Sequence, residues 1–253
     1  MPYSISFISE KDFKNHVLQT LSTYNDTLKS IDLSSFNSNI IDPIKLLFDK
    51  SVYNKSFEDI ISLEIHRQRD KTNTNAIGYF HQNMFKYIAN CIVPKQGWDV
   101  IYTNPATKKK IYVEMKNKHN TMNSAASQKT YMKMQNQVLQ DSSSTCYLVE
   151  VIAPISRNIV WTCSVDGNRC EHKQIRRVSI DQFYKEVTGV NDAFLQICKQ
   201  LPITISDLIR ENSVETIQQD TVLQELAKIN PDKLTALYIL AFKSYEGFQT
   251  LCY

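Results

Sequence analysis

This chain of 253 residues is poor in glycine and contains no glycine-rich loop. Its five glycines are spread apart, which argues against a phosphate-binding loop and therefore against a nucleotide-binding fold. Long apolar runs are also missing: the longest clear one, 236–242, is far shorter than the roughly 20 residues that cross a bilayer. The N-terminus lacks the basic and apolar regions of a signal peptide, so we expect a cytoplasmic protein.

The six cysteines are scattered and include no Cys-x-x-Cys pair. Disulfide frameworks are typical of much smaller secreted proteins, so we expect reduced thiols here. Cys163, Cys170 and His172 are close enough in sequence to suggest zinc ligands. Because a closely spaced pair and a fourth ligand are both missing, we do not expect a zinc site.

Charge of one sign is not in large excess, since the formal net charge is only +3. Its distribution is more informative. Residues 108–133 carry seven lysines and a single acid, residues 167–177 form a second basic run, and residues 207–232 are net acidic. Basic clusters of this kind are typical of nucleic-acid contacts, although a solvated lysine-rich face is the alternative.

One short segment, Ile111 to Lys116, has the pattern of a β-strand with two unlike faces. Its odd-numbered positions are apolar, whereas Glu114 and Lys116 share the other face. Asp99 lies fifteen residues before Glu114, which completes the pattern Asp-x14-Glu-x-Lys. This pattern is that of metal-dependent nucleases, which cleave phosphodiester bonds.

The residue types suit that chemistry. Mg²⁺ prefers oxygen ligands, so Asp99 and Glu114 are predicted to bind it. Lys116 is predicted to orient or deprotonate the attacking water and to offset charge on the phosphate. The alternative is an ordinary same-face ion pair on a solvated sheet. The apolar opposite face, the upstream Asp99 and the basic flanks favour the nuclease reading.

Longer segments resemble type II restriction endonucleases of the PD-(D/E)xK superfamily, and most closely the group that cuts GGNCC or GGWCC sites. The resemblance covers roughly residues 60–210, although Trp98 replaces the proline that precedes the first acid. It rests on Arg67-Gln68-x-Asp70-Lys71, Ile-Gly-Tyr-Phe-His-Gln (77–82), Glu-Met-Lys-Asn-Lys-His-Asn-Thr-Met-Asn (114–123) and Val187-Thr188-Gly189 with Ala193-Phe194.

Hydrophobic periodicity predicts helices, then strands mixed with helices, then further helices. Residues 10–70 are predicted to be helical. Strands are predicted over 98–102, 110–116, 147–152 and 159–164. Further helices are predicted over 76–90, 124–140, 181–188, 192–200, 215–230 and 232–246. Asn73 and Asn75 are candidate N-terminal caps for the helix over 76–90. The order suits an α/β fold with a restriction-endonuclease-like core, a mixed β-sheet flanked by helices. We expect one domain over 1–253, with a helical N-terminal region (1–72), a catalytic core (73–200) and a helical C-terminal tail (201–253).

The resemblance also implies roles for single residues. The backbone carbonyl of Met115 would be a further metal ligand. Gln82 stands where many relatives carry a glutamate that helps to bind a metal or a water, and we expect it to support the site indirectly. The helix after the site strand commonly faces DNA in this fold.

Other polar residues are candidates for DNA binding. Arginine forms paired bonds with guanine, so the second basic run is the best candidate for base recognition. Which of its residues read bases and which hold phosphate is left open. The predicted DNA contacts are Lys118, His119, Asn120, Gln128, Lys129, Lys133, Arg169, His172, Lys173, Arg176 and Arg177.

The sequence therefore predicts a type II restriction endonuclease. It would hydrolyse both strands of double-stranded DNA with Mg²⁺ at a short G/C-rich palindrome and leave 5′-phosphates. A palindromic site implies a symmetric homodimer. Two alternatives remain: a structure-specific nuclease of DNA repair or recombination, and a non-cleaving DNA-binding protein with a nuclease-like core.

Overall fold

The structure, a computed structural model, describes residues 3–211 and 218–242. The helices are α1 (Glu10–Asp26), α2 (Leu33–Phe36), α3 (Pro43–Tyr53), α4 (Phe57–Met84), α5 (Ser124–Gln140), α6 (Ile180–Thr188), α7 (Ala193–Glu211), α8 (Val222–Ile229) and α9 (Lys233–Phe242). The strands are β1 (Cys91–Ile92), β2 (Val100–Thr103), β3 (Lys110–Lys118), β4 (Thr145–Ile152), β5 (Asn158–Val165) and β6 (Asn168–Ser179). A 3₁₀ turn, Phe85–Tyr87, follows α4.

The predicted α/β arrangement, a mixed sheet with helices before and after it, is confirmed. The main errors concern element boundaries and two strands, β1 and β6, that were not predicted. The prediction that a helix begins near residue 76 is wrong, because α4 is continuous from Phe57 and both proposed caps, Asn73 and Asn75, lie inside it. The second basic run is strand β6, which pairs with β5 as a hairpin around Asp166-Gly167. Residues 212–217 and 243–253 lie outside the described residues, so the last two predicted helices are only partly covered.

The sheet has the strand order β1-β2-β3-β4-β6-β5. Strand β3 is parallel to β4, and β4 is parallel to β6, whereas the other neighbours are antiparallel. Helix α5 connects β3 to β4, as a parallel pair requires. The short segment after β3 therefore leads from the strand that carries Glu114 and Lys116 into the first turn of α5.

Helix α5 covers one face of the sheet. Its buried residues Tyr131 and Met134 pack in a cluster with Leu148 of β4, Trp161 of β5 and Ile175 of β6. The Tyr131 and Trp161 rings meet edge to face, with centroids 5.3 Å apart. Tyr112 of β3 packs against the same cluster, so Glu114, two residues further along β3, lies on the helix-covered face and not on an open one.

The opposite face packs against aromatic side chains. Phe183 and Tyr184 of α6 are buried with Phe85, and their ring centroids lie 4.9 and 4.7 Å from that of Phe85. Tyr147 of β4 meets Phe183 edge to face. Because Tyr147 and Leu148 point to opposite faces, strand β4 is buried on both sides and reads as an almost continuous apolar run.

The described chain divides into two compact units. Among the described residues, the first comprises 3–20 and 76–211 and contains the sheet with α5, α6 and α7. The second comprises 21–75 and 218–242. Its core is built from α3, α4, α8 and α9 and includes the buried residues Leu46, Ile61, Leu226 and Leu237. One domain with an N-terminal region and a C-terminal tail stays a prediction.

The burial of Leu148 yields a stability prediction. Leu148→Ala should lower the free energy of unfolding by about 2–5 kcal/mol, because it opens a cavity beneath α5. Leu139→Ala is the matched control, since Leu139 is 82% exposed at the end of the same helix. Urea denaturation followed by circular dichroism measures both. Equal losses for the two variants would contradict the packing of α5 on β4.

Candidate active site

Asp99 lies just before β2 and is held by hydrogen bonds to β3. Val100 of β2 pairs with Val113 of β3, and the same register, continued by one residue, brings Asp99 opposite Glu114. The Asp99 amide donates to the Val113 carbonyl at 3.0 Å. The Asp99 carboxylate accepts from the Met115 amide at 2.7 Å. These bonds fix the aspartate to the backbone of Glu114-Met115-Lys116.

Gln82 lies in the last turn of α4 and joins that helix to the site. Its side-chain amide donates to the backbone carbonyl of Asp99 at 3.3 Å. The side chain therefore contacts the backbone that carries the carboxylate and not the carboxylate itself. This position agrees with the indirect role expected for Gln82, which stays a prediction.

Glu114 is paired with a lysine of helix α5. The Lys133 ammonium contacts the Glu114 carboxylate and the Gly97 carbonyl. It also lies over the Trp98 ring, 4.1 Å from the centroid, where the negative face of the aromatic system attracts a cation. The glutamate side chain is 13% exposed and the lysine 36% exposed. The sequence placed Lys133 on a DNA-facing helix but gave no signal that it reaches Glu114.

Lys116 is half-buried on the same face of β3 as Glu114. Its strand partner in the register is Glu150 of β4. Within the described part of the chain, the Lys116 ammonium makes neither a hydrogen bond nor an ion pair. It is therefore available for a ligand, unlike Lys133.

Glu150 is a buried carboxylate with two arginine partners, and sequence reasoning missed it. It is 1% exposed and accepts bonds from Arg157, in the loop after β4, and from Arg177 of β6. Arg177 also donates to the His119 carbonyl at 2.9 Å, and the His119 amide donates to Ile152 at 3.1 Å. The cluster thereby anchors the segment that begins at His119, directly after the end of β3. A lone acid within an apolar strand was the available signal.

The second basic run is divided between engaged and exposed residues. Arg177 is bound to Glu150, and Arg176 donates to the side chain and carbonyl of Asn158 at 2.5 and 2.6 Å. Arg169, near the hairpin turn, is 78% exposed and lies 3.6 Å from the carboxylate of Glu171, which is 60% exposed. Lys173 is also exposed. His172 accepts a bond from the Gln174 amide at 3.2 Å.

The remaining predicted DNA contacts lie along the exit from β3 and along α5. Lys118, His119 and Asn120 have exposed side chains. Gln128 donates to Asp166 of the β5–β6 turn at 2.6 Å, whereas Lys129 is exposed. An open cavity of about 630 Å³ runs along this helix. It is lined by Trp98, Ala125, Gln128, Lys129, Met132, Lys133, Asn136, Gln137 and Gln140, without a carboxylate.

Comparison with known proteins decides the family. Residues 5–210 match the family described as Eco47II restriction endonuclease. The type II restriction enzyme Sau96I of Staphylococcus aureus is 33% identical over 213 residues, which cover 81% of each chain. The type II restriction enzyme Eco47II of Escherichia coli is 29% identical over 216 residues, or 82% of this chain and 89% of its own.

This chain belongs to the Eco47II restriction endonuclease family. The prediction of a type II restriction endonuclease, a site-specific deoxyribonuclease that acts on double-stranded DNA, is thereby confirmed. The match spans all of β1 to β6 and therefore includes Asp99, Glu114 and Lys116. No helix among the described residues is long and apolar enough to cross a membrane.

The residues of the candidate site include donors that suit a divalent cation. The carboxylates of Asp99 and Glu114 and the backbone carbonyl of Met115 are the oxygen donors that hard cations prefer. The ammonium of Lys133 against Glu114 and Gly97 also marks the place as one that favours positive charge. In residues 3–211 and 218–242, no three His, Cys, Asp or Glu side chains come together as a metal site.

The cysteine nearest to this site along the sheet is not suited to act as a nucleophile. Cys146 of β4 is the register partner of Tyr112, close to Glu114 along the sheet. Burial raises the pKa of the Cys146 thiol to about 12, so it stays protonated and is a poor nucleophile at neutral pH. Cys163 and Cys170 face each other across β5 and β6, and burial also raises the pKa of Cys163.

The buried Glu150 predicts a strong dependence of stability on its charge. Glu150→Gln should lower the free energy of unfolding by about 3–5 kcal/mol, because two guanidinium groups lose their shared partner. Glu171→Gln is the control, since its carboxylate on the neighbouring strand is exposed and should contribute little. Chemical denaturation of both variants at pH 7 provides the comparison. A loss in Glu150→Gln no larger than in the control would refute a structural role for the cluster.

Proposed function

We propose that this endonuclease hydrolyses both strands of double-stranded DNA at a short G/C-rich palindrome of the GGNCC type. The reaction would require Mg²⁺ and leave 5′-phosphates, and the enzyme would act as a symmetric homodimer in the cytoplasm. The family supports cleavage of DNA at specific sites, while the palindrome, metal, products and assembly are part of the proposal.

One observation carries the proposed chemistry. The Asp99 carboxylate is bonded to the Met115 amide at 2.7 Å, so it is fixed beside the segment that bears Glu114 and Lys116. Two carboxylates on adjacent strands repel each other and repel phosphate unless a cation lies between them. An arrangement that holds both acids in place therefore supports a cation site at this point of the sheet.

The residues divide the work of the reaction as follows. Asp99, Glu114 and the Met115 carbonyl would hold the metal, which when bound polarises the phosphoryl group and lowers the pKa of water. Lys116, whose ammonium has no partner within the described residues, would orient the attacking water and stabilise charge on the phosphate. Deprotonation of that water by Lys116 would require its neutral amine form, which can accept the proton. Gln82 would keep the backbone of Asp99 in place.

The DNA-binding surface is proposed to include α5 and the exit from β3. Lys118, His119, Asn120 and Lys129 are exposed there and suit phosphate contacts. At the β5–β6 hairpin, the side chains of Arg169 and Lys173 are exposed, so their donors can reach DNA bases. Arg176 and Arg177 instead donate hydrogen bonds to protein groups. We therefore propose that base recognition by this hairpin depends more on Arg169 and Lys173, with His172 beside them.

Cleavage of a plasmid and of long linear DNA, with and without Mg²⁺, tests the overall proposal. Discrete fragments with GGNCC at their sequenced ends are expected only with the metal. A smear or nicking at DNA junctions would indicate a structure-specific nuclease, and uncut DNA that is still bound would indicate a binding protein. Light scattering of the purified enzyme, with and without a cognate duplex, tests the homodimer.

Substitution of either acid is expected to affect DNA cleavage and DNA binding differently. Asp99→Asn and Glu114→Gln should each abolish cleavage and leave DNA affinity in Ca²⁺-free buffer unchanged or higher, because each removes a charge that repels phosphate. Single-turnover cleavage and fluorescence anisotropy measure the two properties. Substantial cleavage by Asp99→Asn would exclude this residue as the first metal ligand.

Lys116 is compared with Lys118, two residues further along the same strand. Lys116→Gln should slow single-turnover cleavage by about 10²- to 10⁴-fold, the range expected for loss of a group that transfers a proton or stabilises charge. Lys118→Gln removes the same charge but should mainly weaken DNA binding. A larger rate loss in Lys118→Gln at saturating enzyme would show that the catalytic lysine has been misassigned.

A further inference from the structure

The contacts of Lys133 differ from those of every other lysine at the site. Its ammonium contacts the carboxylate of Glu114 and the carbonyl of Gly97, and it lies 4.1 Å from the centroid of the Trp98 ring. The carboxylate, the carbonyl and the face of the ring are all negative or partly negative groups that attract a cation, and none of them belongs to α5. The ammonium therefore occupies a pocket for a cation that is built by the β2–β3 region.

This arrangement conflicts with metal binding by Glu114. The glutamate oxygen bonded to Lys133 belongs to one of the two acids available to a cation. Two positive charges at one carboxylate repel each other strongly at short distance when the site is partly shielded from solvent. The carboxylate is 13% exposed, so a divalent cation and the ammonium would not share it without a large cost.

The Lys133 side chain can reach an alternative position next to helix α5. Its side chain is 36% exposed, and it lines the open cavity along α5 together with Lys129, one turn earlier on the same helix. The cavity lining contains amides and ammonium groups but no carboxylate. A rotation of the lysine side chain would therefore place its charge on a surface that suits phosphate.

We propose that Lys133 is a resident counter-cation, which compensates the charge of Glu114 in the metal-free enzyme and leaves it when a divalent cation binds. This inference rests on the proposed metal site at Glu114. Lys133 is a positioning residue: it keeps the carboxylate in place before the metal arrives and competes with the metal for it. After release, its ammonium faces the cavity, where a DNA phosphate would be its next partner.

Calorimetric titration of the DNA-free enzyme with Ca²⁺ tests the competition without reference to cleavage. Lys133→Gln and Lys133→Met should bind Ca²⁺ about three- to tenfold more tightly than the native chain, because the competing ammonium is gone. Lys133→Met keeps a long apolar side chain beside Trp98, so agreement between the two variants excludes an effect of lost packing. Lys129→Gln removes the same charge from the same helix and should leave Ca²⁺ affinity unchanged.

Trp98 provides an independent optical readout. The chain contains two tryptophans, so Trp161→Phe leaves Trp98 as the single reporter. In that background, Ca²⁺ should change the emission of Trp98 as the ammonium leaves its ring, and the change should be lost when Lys133→Gln is added. An emission change of the same size in both proteins would contradict release of the lysine.

The outcomes separate this inference from the proposed function. If Glu114→Gln binds Ca²⁺ as well as the native chain does, the proposed metal site is wrong. If Ca²⁺ binding requires Glu114 but is equal or weaker in both Lys133 variants, the metal site stands and the competition is refuted. If neither the native chain nor the Lys133 variants bind Ca²⁺, removal of the ammonium has not opened a site, and both ideas fail.

Discussion

The bond between the Asp99 carboxylate and the Met115 amide is the constraint on which the site depends. It connects the end of one antiparallel strand to the backbone of the next, so the two acids are placed by the sheet itself. The antiparallel pairing of Val100 with Val113 sets the register that makes this possible. A slip of one residue would turn Glu114 to the opposite face, among the aromatic side chains of α6.

Charge balance on one face of the sheet follows from that placement. Glu114 and Glu150 lie on the adjacent parallel strands β3 and β4. Glu114 is paired with Lys133, and Glu150 is paired with Arg157 and Arg177. Lys116 lies between the two acids without a partner of its own in the described chain. Among the described residues, both carboxylates are therefore paired with cations, whereas the neighbouring Lys116 ammonium is not paired with an acid.

Local patterns predicted much of this structure. The alternation along β3, the apolar run of β4 and the helical period of α5 each follow from burial of one or both faces, so they are readable over short windows. Prediction was less successful where no local signal exists. Asn73 and Asn75 suggested a helix start, yet α4 continues through them. Apolar residues before and after them, such as Ile65 and Phe80, are buried, and this packing outweighs a weak capping preference.

The sequence by itself determined which charged groups are present and their local order: Glu114 and Lys116 on a strand with one apolar face, and Asp99 at a fixed spacing before them. It also contained the longer string of residues that identified the family. Tertiary structure alone decided which partner each charge has. Lys133 is nineteen residues from Glu114, and Arg177 is twenty-seven from Glu150. Ion pairs between distant elements depend on how a helix crosses a sheet, and no periodicity within either element records that crossing.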